Sequence, residues 1–397
     1  MPEVKPSLLN NLNQHLKLVG PSAIRAFDIE VSEIPDIIKL TLGEPDFNVP
    51  DHIKQAAIRS IEANDSHYAA SNGTIHLREA AAGFLADRYD IDYDPTNEII
   101  VTIGATEAIY DTLTTILNPG DKIILPTPIF PLYIAVGLVD GAEPVFIDTS
   151  SNDFVLSPEM LKAAIANHGD DIKAVVLNFP SNPTGVTYND EQIKAIADVL
   201  RGTDIIVISD EIYSELSYEN SHVSMAKYLP EQTILLNGVS KSHAMTGYRI
   251  GILAGPAQLV QKIAMIHQFA TTTASNPAMA AAVEALGTEA GRQDTLVMKA
   301  EYLQRRDYVY DTMTQLGFKV AKPDGAFYIF AKIPAGYIQD DFAFARDLAQ
   351  NNGLALIPGS SFGPGGEGYV RLSYAASIET LQKAMHRLTA YMEENGK

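Results

Sequence analysis

The sequence predicts an α/β fold in which a large domain with a mostly parallel, helix-covered sheet precedes a smaller α+β domain. Three observations support this. The chain of 397 residues is long enough for two or three domains that each bury a core. From about residue 98, short apolar runs alternate with helix-like segments, which is typical of doubly wound α/β domains. Beyond about residue 290, the pattern changes to one long helix, antiparallel strands and two further helices.

Seven short runs in the first part are predicted to be strands. They are rich in Val and Ile and apolar on both faces, as expected for a sheet that helices cover on both sides. They are Ile99–Ile103, Lys122–Leu125, Pro144–Ile147, Ala174–Asn178, Ile205–Ser209, Thr233–Asn237 and Ile250–Ala254. Helical patterns between them include Thr106–Leu117, Pro158–Asn167 and Asp190–Leu200.

The C-terminal third predicts an α+β arrangement. A helix over about 294–316 leads into antiparallel strands at Phe318–Ala321 and Ala326–Ile333, around a turn at Pro323–Gly325. A helix near 340–351, strands near Leu354–Ile357 and Tyr369–Tyr374, and a helix over about 377–393 follow. We therefore expect an arm over residues 1–45 that packs with the small domain or a partner subunit. A large domain over 46–290 and a small domain over 291–397 complete the chain.

The composition excludes several classes of function. Asp and Glu number 49 against 29 Lys and Arg, and this net charge of −20 argues against nucleic acid or an anionic membrane as the main partner. The absence of cysteine excludes disulfides and thiol nucleophiles, and the nine histidines form no H-x-x-x-H pair, so no metal site is expected. Neither a membrane helix nor a secretory signal is predicted, so we expect a cytoplasmic enzyme.

Three short pattern matches are attributed to chance. The glycine run 363–368 fits G-x-G-x-x-G, but it leads into a predicted strand instead of a helix and therefore predicts a turn. Residues 359–363 fit G-x-S-x-G without the acid and histidine that a hydrolase needs in order downstream. Residues 224–227 fit S-x-x-K, but neither S-D-N nor K-T-G accompanies them.

Polar motifs follow four of the predicted strands, at the sheet edge where open α/β sheets bind ligands. They are Gly104–Ala108, Asn182–Gly185, Asp210–Tyr213, and Ser240 with Lys241, which Arg249 follows eight residues later. Taken singly, each has a structural explanation, because Asn-Pro forms turns and aspartate caps helices.

Together, these residues supply what a pyridine-aldehyde phosphate requires. That cofactor needs an amine for a Schiff base, an acid facing the pyridinium nitrogen and donors for the phenolate oxygen. Its phosphate needs a cation and a helix N-terminus. We assign the amine to Lys241 and the acid to Asp210, with Asn182 and Tyr213 as the donors to the phenolate oxygen. The phosphate is assigned to Arg249 and to the turn formed by Gly104, Ala105 and Thr106.

These motifs resemble those of fold-type I pyridoxal-phosphate aminotransferases of class I/II, the relatives of aspartate and aromatic aminotransferases. The resemblance covers essentially the whole chain, from Leu42–Phe47 to Val370–Ser373. Its most specific parts are Asn178–Gly185, Ser209–Tyr213 and Ser240–Gly251. The resemblance implies pyridoxal 5′-phosphate as the cofactor and the large domain as its binding domain.

The resemblance also implies roles for residues outside these motifs. Gly43 lies where the family's backbone approaches the substrate carboxylate. Arg371 matches the arginine that binds this α-carboxylate, together with Asn182. Phe130 matches the aromatic residue that stacks on the pyridine ring, with Tyr133 as the alternative.

The phosphate site departs from the family pattern. Many relatives carry a serine three residues before the lysine, where this chain has Gly238; Ser240 directly precedes the lysine and stays a candidate cofactor ligand. The phosphate is therefore expected to rely on Arg249, the amides of residues 104–106 and Tyr68, which in the family reaches the phosphate of the neighbouring subunit. A homodimer with shared active sites is implied.

The implied reaction is ping-pong transamination from an L-amino acid, aromatic or broad in range, to a 2-oxo acid such as 2-oxoglutarate. Lys241, Asp210 and Tyr213 are the expected catalytic residues. Two alternatives share the cofactor: an aminotransferase for N-acetyl-LL-diaminopimelate in lysine biosynthesis, and a carbon–sulfur lyase. A non-catalytic effector-binding module is disfavoured, because the N-terminal region is short and not basic.

Overall fold

The computed structural model describes residues 2–396. Six of its α-helices were predicted from the sequence, and five of these six begin and end within two residues of the predicted positions. The α-helices are α1 (Pro6–Leu9), α2 (Ala23–Val31), α3 (Asp51–Glu62), α4 (Ile75–Tyr89), α5 (Gly104–Ile116), α6 (Leu132–Val139), α7 (Pro158–His168), α8 (Asp190–Leu200), α9 (Val239–Ser242), α10 (Ala257–Ala270), α11 (Asn276–Gly287), α12 (Glu289–Gln315), α13 (Asp341–Asn352) and α14 (Ile378–Asn395). Within residues 2–396, no helix combines the length and the apolar character needed to span a membrane.

The strands form one large sheet and two small ones. They are β1 (Ile38–Lys39), β2 (Ile99–Thr102), β3 (Lys122–Thr127), β4 (Glu143–Asp148), β5 (Ile172–Asn178), β6 (Ile206–Asp210), β7 (Thr233–Gly238), β8 (Gly251–Ala254), β9 (Lys319–Val320), β10 (Tyr328–Lys332), β11 (Leu354–Ala355), β12 (Ile357–Pro358) and β13 (Tyr369–Ser373). All seven strands predicted for the large sheet are present, and their ends differ from the prediction by at most two residues.

The large sheet confirms the predicted α/β fold class. Its strand order is β2-β8-β7-β6-β5-β3-β4, and β8 runs antiparallel to both of its neighbours while the other pairs are parallel. Side chains of β7 alternate between the two faces: Ile234 and Leu236 pack beneath α5 and α10, whereas Leu235 packs beneath α4 and α11. Both faces are therefore covered by helices, which explains the continuous apolar runs.

The smaller part of the molecule contains a four-stranded sheet of order β12-β13-β10-β9, in which all neighbours are antiparallel. The predicted single strand Leu354–Ile357 is wrong. It divides into β11 and β12, because β11 pairs in parallel with β1 of the arm while β12 pairs with β13. The glycine run 363–368 forms the predicted turn and leads into β13.

Helix α12 begins five residues before its predicted start near 294. The Thr288 hydroxyl accepts a hydrogen bond from the Gly291 amide at 3.1 Å and so caps the helix there. Since α11 ends at Gly287, only one residue separates the two helices near the predicted domain boundary. The division into domains remains a prediction.

Candidate active site

The carboxyl ends of β5, β6 and β7 open into a cavity of about 380 Å³. Most of the predicted site residues line it, although they come from distant parts of the sequence. Those in the cavity wall are Gly43, Ala105, Thr106, Phe130, Asn182, Asp210, Tyr213, Ser240, Lys241, Arg249 and Arg371. The alternative stacking residue, Tyr133, also lines the cavity.

Lys241 supplies the amine of the cavity. It lies on α9, directly after β7, and its Nζ donates a hydrogen bond to the carbonyl oxygen of Gly43 at 2.7 Å. Burial lowers the pKa of Lys241 to about 8, although the negative charge of Glu44 acts to raise it. A lysine with a lowered pKa readily becomes the neutral amine that attacks carbonyl carbons.

Asp210 supplies a buried carboxylate. It is the last residue of β6 and lies opposite Asn178, the last residue of β5, in the parallel register. The hydroxyl of Tyr133 donates a hydrogen bond to Oδ2 of Asp210 at 2.5 Å. Burial raises the pKa of Asp210 to about 6, although this hydrogen bond acts to lower it. The Ile212 amide donates to Oδ1 at 3.1 Å. A cationic ring nitrogen placed opposite would hold this carboxylate ionised.

Tyr133 therefore has a contact that the sequence did not predict. Its phenol is bonded to Asp210, and its ring stands edge-on to Phe130 with 6.2 Å between centroids. Both aromatic rings line the cavity. The hydrogen bond holds Tyr133 beside Asp210, and which of the two rings stacks on a bound pyridine ring stays a prediction.

Arg371 presents its guanidinium in the wall opposite the large sheet. Nη1 donates to Oδ1 of Asn182 at 3.0 Å and Nη2 donates to the carbonyl oxygen of Thr41 at 2.5 Å. The rings of Tyr328 and Phe362 lie 4.7 and 5.0 Å from its central carbon. These four partners fix the plane of a side chain that is only 2% exposed, and burial lowers its pKa.

Arg371 also has an unsatisfied donor. Its Nε is buried and has no hydrogen-bond partner among the described residues. A buried donor without a partner is costly. The planar fork of arginine matches a carboxylate.

Tyr213 and Tyr328 share a hydrogen bond beside this arginine. Their hydroxyl oxygens are 2.7 Å apart, and burial raises the pKa of both phenols. The Tyr213 ring centroid is 5.9 Å from Nζ of Lys241. Both phenols are therefore protonated near neutral pH, and the phenol that accepts the shared hydrogen bond can donate its own proton to a bound oxygen anion.

Arg249 and the first turn of α5 form a positively charged corner. Arg249 donates from Nη1 to the Thr246 carbonyl at 3.0 Å and from Nη2 to the Ile103 carbonyl at 3.4 Å. Gly104 has φ +72°, and a Cβ there would come within 2.4 Å of Nη2. The first amides of a helix have no partner within it, so this corner can bind a phosphate.

A family model described as aminotransferase class I and II matches residues 35–388, nearly nine-tenths of the chain. The chain belongs to the class I and II aminotransferases. The predicted family and the prediction of a transferase are thereby confirmed. This family uses pyridoxal phosphate, and the donor set in the cavity fits that cofactor: an amine, a buried acid and a phosphate corner.

Individual relatives cover nearly the whole of this aminotransferase. A probable N-acetyl-LL-diaminopimelate aminotransferase of Bacillus subtilis is 44% identical over 96% of the chain and 95% of its own length. Aromatic-amino-acid aminotransferase 2 of Thermococcus litoralis is 34% identical over 96% and 98%. The structure of Thermus thermophilus aspartate aminotransferase with maleate has a TM-score of 0.90 at 34% identity, covering 98% of this chain and all of its own.

Several cavity residues of this aminotransferase were missed by the sequence reasoning. They are Arg25 on α2, Thr41 and Glu44 beside Gly43, and Tyr328 on β10. The motif around Gly43 could have indicated its neighbours, but neither Arg25 nor Tyr328 follows a predicted strand of the large sheet.

Two of the predicted residues do not line the cavity. Gly104 lies against the guanidinium of Arg249, just behind the wall. Tyr68 is 84% exposed, in the loop between α3 and α4. An exposed aromatic residue of this kind is available to a neighbouring molecule.

One group of potential metal ligands was not predicted. Glu107 and Asp111 on α5 face His267 on α10. The His267 Nδ1 lies 3.0 Å from an Asp111 carboxylate oxygen, and its Nε2 lies 2.9 Å from the Ser71 carbonyl oxygen. Although burial alone lowers it, hydrogen bonding to Asp111 leaves the pKa of His267 raised overall. With both ring nitrogens engaged, the group ties α5 and α10 to the loop that carries Tyr68.

Proposed function

We propose that this chain transfers the amino group of an L-amino acid to a 2-oxo acid by a ping-pong mechanism, with pyridoxal 5′-phosphate held by Lys241. The observation that carries the proposal is the pairing of a Lys241 amine whose pKa is lowered to about 8 with the buried Asp210 in one cavity. When bound, pyridoxal phosphate supplies an aldehyde that accepts amino groups and a ring that withdraws electrons from the substrate Cα.

The chain's own residues divide the work on the cofactor side. Lys241 holds the cofactor through its amine and, once the substrate amine replaces it, moves the proton at the substrate Cα. Asp210 faces the ring nitrogen and keeps it protonated, while Asn182 and Tyr213 donate to the ring oxygen. Phe130 covers the ring.

The phosphate is assigned to the corner of the cavity where α5 begins. Arg249 supplies the cation, and the amides of Ala105 and Thr106 supply hydrogen-bond donors at the helix N-terminus. Ser240 lines the same cavity and stays a candidate for this site.

The substrate α-carboxylate is assigned to Arg371, with Asn182 and the Gly43 backbone beside it. The Arg371 guanidinium is held by Asn182 and Thr41 before any substrate arrives. Such preorganisation reduces the entropy lost on binding. Orientation of the α-carboxylate then places the substrate amine near Lys241.

Two substrate ranges are supported by relatives, and both fit the cavity chemistry. The resemblance in the motifs favours an aromatic or broad-range enzyme, and a 34% identical relative is named for aromatic amino acids. The 44% identical relative is named for N-acetyl-LL-diaminopimelate, the second candidate. A dicarboxylic acceptor such as 2-oxoglutarate is supported by the maleate bound to the Thermus enzyme.

A panel of amino donors tests the proposal. The purified enzyme, supplied with pyridoxal phosphate, is assayed with aromatic amino acids, aspartate and N-acetyl-LL-diaminopimelate against 2-oxoglutarate. We expect glutamate to form with at least one donor. Release of pyruvate and ammonia from a sulfur amino acid without any acceptor would instead identify the carbon–sulfur lyase.

We also propose a homodimer in which Tyr68 binds the phosphate of the neighbouring subunit. Tyr68 and Phe269 are 84% and 86% exposed, which favours a covering partner. In a mixture of Tyr68→Ala and Lys241→Ala subunits, each mixed dimer regains one intact site. Random exchange should therefore restore about a quarter of wild-type activity. No recovery after demonstrated exchange would mean that Tyr68 serves its own chain or no site.

The proposed division of the chain is an arm over residues 1–45, a cofactor-binding domain over 46–290 and a small domain over 291–397. Pairing of β1 with β11 supports the association of the arm with the small domain. The cavity draws residues from all three parts, including Arg25, Lys241 and Arg371. Cytoplasmic location stays a prediction.

A further inference from the structure

We propose that His267 is a positioning residue for the active site of the neighbouring subunit. It holds residues 66–73, which we call the Tyr68 loop, in the shape that presents Tyr68 to that subunit. The inference rests on the proposed homodimer, in which Tyr68 binds the neighbour's phosphate, and it deepens that proposal. His267 thereby acts on the cofactor of the other subunit without touching it.

The first observation is that the exposed Tyr68 side chain lies on a backbone that is held in place. The Gly73 amide donates a hydrogen bond to the Ala70 carbonyl at 2.8 Å, which closes the end of the loop. The Val101 amide on β2 donates to the Asn72 carbonyl at 3.0 Å, which ties the loop to the large sheet. A segment that is fixed in advance loses less conformational entropy when a partner binds it.

The second observation is the contact that His267 makes with this loop. His267 lies on α10 and is fully buried. Its Nε2 lies 2.9 Å from the carbonyl oxygen of Ser71, three residues after Tyr68. A carbonyl oxygen can only accept a hydrogen bond, so Nε2 is the donor. A buried side chain of the large domain therefore holds the loop at a point close to its exposed tyrosine.

The third observation is that the other ring nitrogen fixes the imidazole. Nδ1 lies 3.0 Å from Oδ2 of Asp111, which is itself buried on α5. The same helix carries the Ala105 and Thr106 amides, which are assigned to the phosphate of this chain's own cofactor. His267 thus fixes the Tyr68 loop to the helix of one phosphate site, while Tyr68 is assigned to the phosphate of the other.

The Tyr68 loop is also anchored on the side that precedes the tyrosine. Asn276 is the first residue of α11, and its Nδ2 donates to the His67 carbonyl at 2.7 Å and to the Asp65 carbonyl at 3.2 Å. Tyr68 therefore lies between two anchored points, one held from α11 and one from α10. Removal of the Asn276 amide offers an independent way to loosen the same loop.

Two substitutions separate the two hydrogen bonds of His267. A glutamine amide reaches about as far as Nε2, and an asparagine amide about as far as Nδ1. His267→Gln should therefore keep a donor for Ser71, whereas His267→Asn keeps a partner for Asp111 and releases the loop. The dissociation constant for pyridoxal phosphate is measured by absorption titration of the cofactor-free protein. We expect it to rise about three- to tenfold in His267→Asn and to stay within about twofold in His267→Gln. An equal rise in both variants contradicts the inference.

The Tyr68→Ala background tests whether His267 works through Tyr68. Tyr68→Ala alone should weaken cofactor binding about ten- to hundredfold, because a charge-assisted hydrogen bond to a phosphate is lost. If His267 acts by placing the tyrosine, His267→Asn should add less than about twofold in this background. Full additivity of the two substitutions would show that His267 affects the cofactor independently of Tyr68, which overturns the inference.

The decisive experiment places His267→Asn in one chain or the other of a mixed dimer. One chain carries Tyr68→Ala and the other Lys241→Ala, with different affinity tags so that the mixed dimer can be purified. Its intact site combines the lysine of the first chain with the tyrosine of the second. His267→Asn in the chain that supplies Tyr68 should weaken cofactor binding at this site about three- to tenfold. The same substitution in the chain that supplies Lys241 should change it by less than about twofold.

Two further variants support this comparison. His386→Asn, at an exposed position of α14, is the matched control and should leave cofactor binding unchanged in either chain. Asn276→Ala should reproduce the dependence on the chain that supplies Tyr68. It provides the same test where His267→Asn lowers the yield of folded dimer. An effect of Asn276→Ala that is equal in both chains would contradict the role of the anchored loop.

The remaining outcomes are distinguishable. A larger effect of His267→Asn in the chain that supplies Lys241 would show that His267 serves the phosphate corner of its own chain through α5. An equal effect in both chains would leave His267 with a purely structural role. In either case the inference is wrong while the homodimer proposal stands. If the mixed dimer binds the cofactor no better than the Tyr68→Ala homodimer, the proposal of shared sites fails and the inference fails with it.

Discussion

The two walls of the cavity are built in different ways. The wall on the large sheet consists of residues at the ends of its strands or a few positions after them, such as Asn182, Asp210 and Lys241. The opposite wall is assembled from the arm and the small sheet, through Arg25, Thr41 and Arg371. The first wall is set by local chain topology, and the second depends on tertiary packing between the two ends of the chain.

The difference coincides with a division of proposed roles. The wall on the large sheet, which we call the strand-end wall, supplies the groups assigned to the cofactor. The opposite wall, which we call the assembled wall, supplies those assigned to the substrate. Variants on the first wall should therefore weaken cofactor binding or chemistry with every substrate. Variants on the second should leave the cofactor in place and weaken the binding and reaction of substrates.

The largest effect is expected for Lys241→Ala, on the strand-end wall. It removes the amine that holds the cofactor and moves the proton, so kcat should fall about ten-thousandfold or more. The wild-type enzyme should be yellow with an absorption band that borohydride bleaches, and the variant should lack that band. Lys262→Ala, at an exposed position of α10, is the matched control. A variant that retains the band and full activity would remove Lys241 from the site.

The second prediction concerns the pH dependence of the cofactor-free protein. Burial raises the pKa of Asp210 from 3.8 to about 6, so folding favours its protonated form. Between these values the folded protein binds more protons than the unfolded chain, and its free energy of unfolding falls as pH rises. The two pKa values give a total decrease of about 3 kcal/mol from this group.

Asp210→Asn should remove this component. Relative to wild type, the free energy of unfolding of the variant should improve by about 2 kcal/mol between pH 4 and pH 7, because part of the total change lies below pH 4. Asp311→Asn, which changes an exposed carboxylate on α12, should show no such improvement. Urea denaturation at the two pH values measures both. An equal difference from wild type at pH 4 and pH 7 contradicts the prediction.

The strand-end wall could be predicted because its information is local. Each apolar run gives one strand, parallel strands end at one edge of the sheet, and the polar motif after each strand must lie there. Asn178 and Asp210 even occupy paired positions in the register. The spacing along the chain was therefore sufficient to predict which residues lie at this wall, without any knowledge of long-range contacts.

The assembled wall could be predicted only where a family motif covered it. Tyr328 lies beside Arg371 because Phe330, two residues later on β10, pairs with Arg371 on β13. That register is fixed by side-chain packing and cannot be obtained from the alternation of residue types alone. The contact of Arg371 with Thr41 joins residues 330 positions apart. Sequence spacing contains no signal for such a contact.

A third prediction tests the assembled wall through Arg371→Lys. The substitution keeps the charge but removes the fork that contacts Asn182 and Thr41. The loss of charge-assisted pairing, worth roughly 1.5–3 kcal/mol, should lower kcat/KM about ten- to hundredfold for every donor. The absorption band of the bound cofactor should persist. Unchanged kcat/KM for all donors would leave Arg371 with a purely structural role.

The smallest expected effect is that of Tyr328→Phe, which removes one hydroxyl from the assembled wall. That hydroxyl lies 2.7 Å from the Tyr213 hydroxyl, and the loss of one neutral hydrogen bond costs about 0.5–1.5 kcal/mol. We therefore expect a two- to tenfold decrease in kcat/KM with the cofactor still bound. Tyr310→Phe, on α12 and outside the cavity, is the matched control.

The same hydroxyl restricts Gly43, where a Cβ would come within 2.2 Å of it and within 3.2 Å of the adjacent ring carbon. Gly43→Ala should therefore impair the enzyme in the wild-type background, because the Tyr328 ring must move. In the Tyr328→Phe background, part of that clash is absent, so Gly43→Ala should cost less. A double-mutant cycle on kcat/KM measures this coupling. Additive effects of the two substitutions would show that Gly43 and Tyr328 act independently, and that the assembled wall is less tightly packed there than the contact distance indicates.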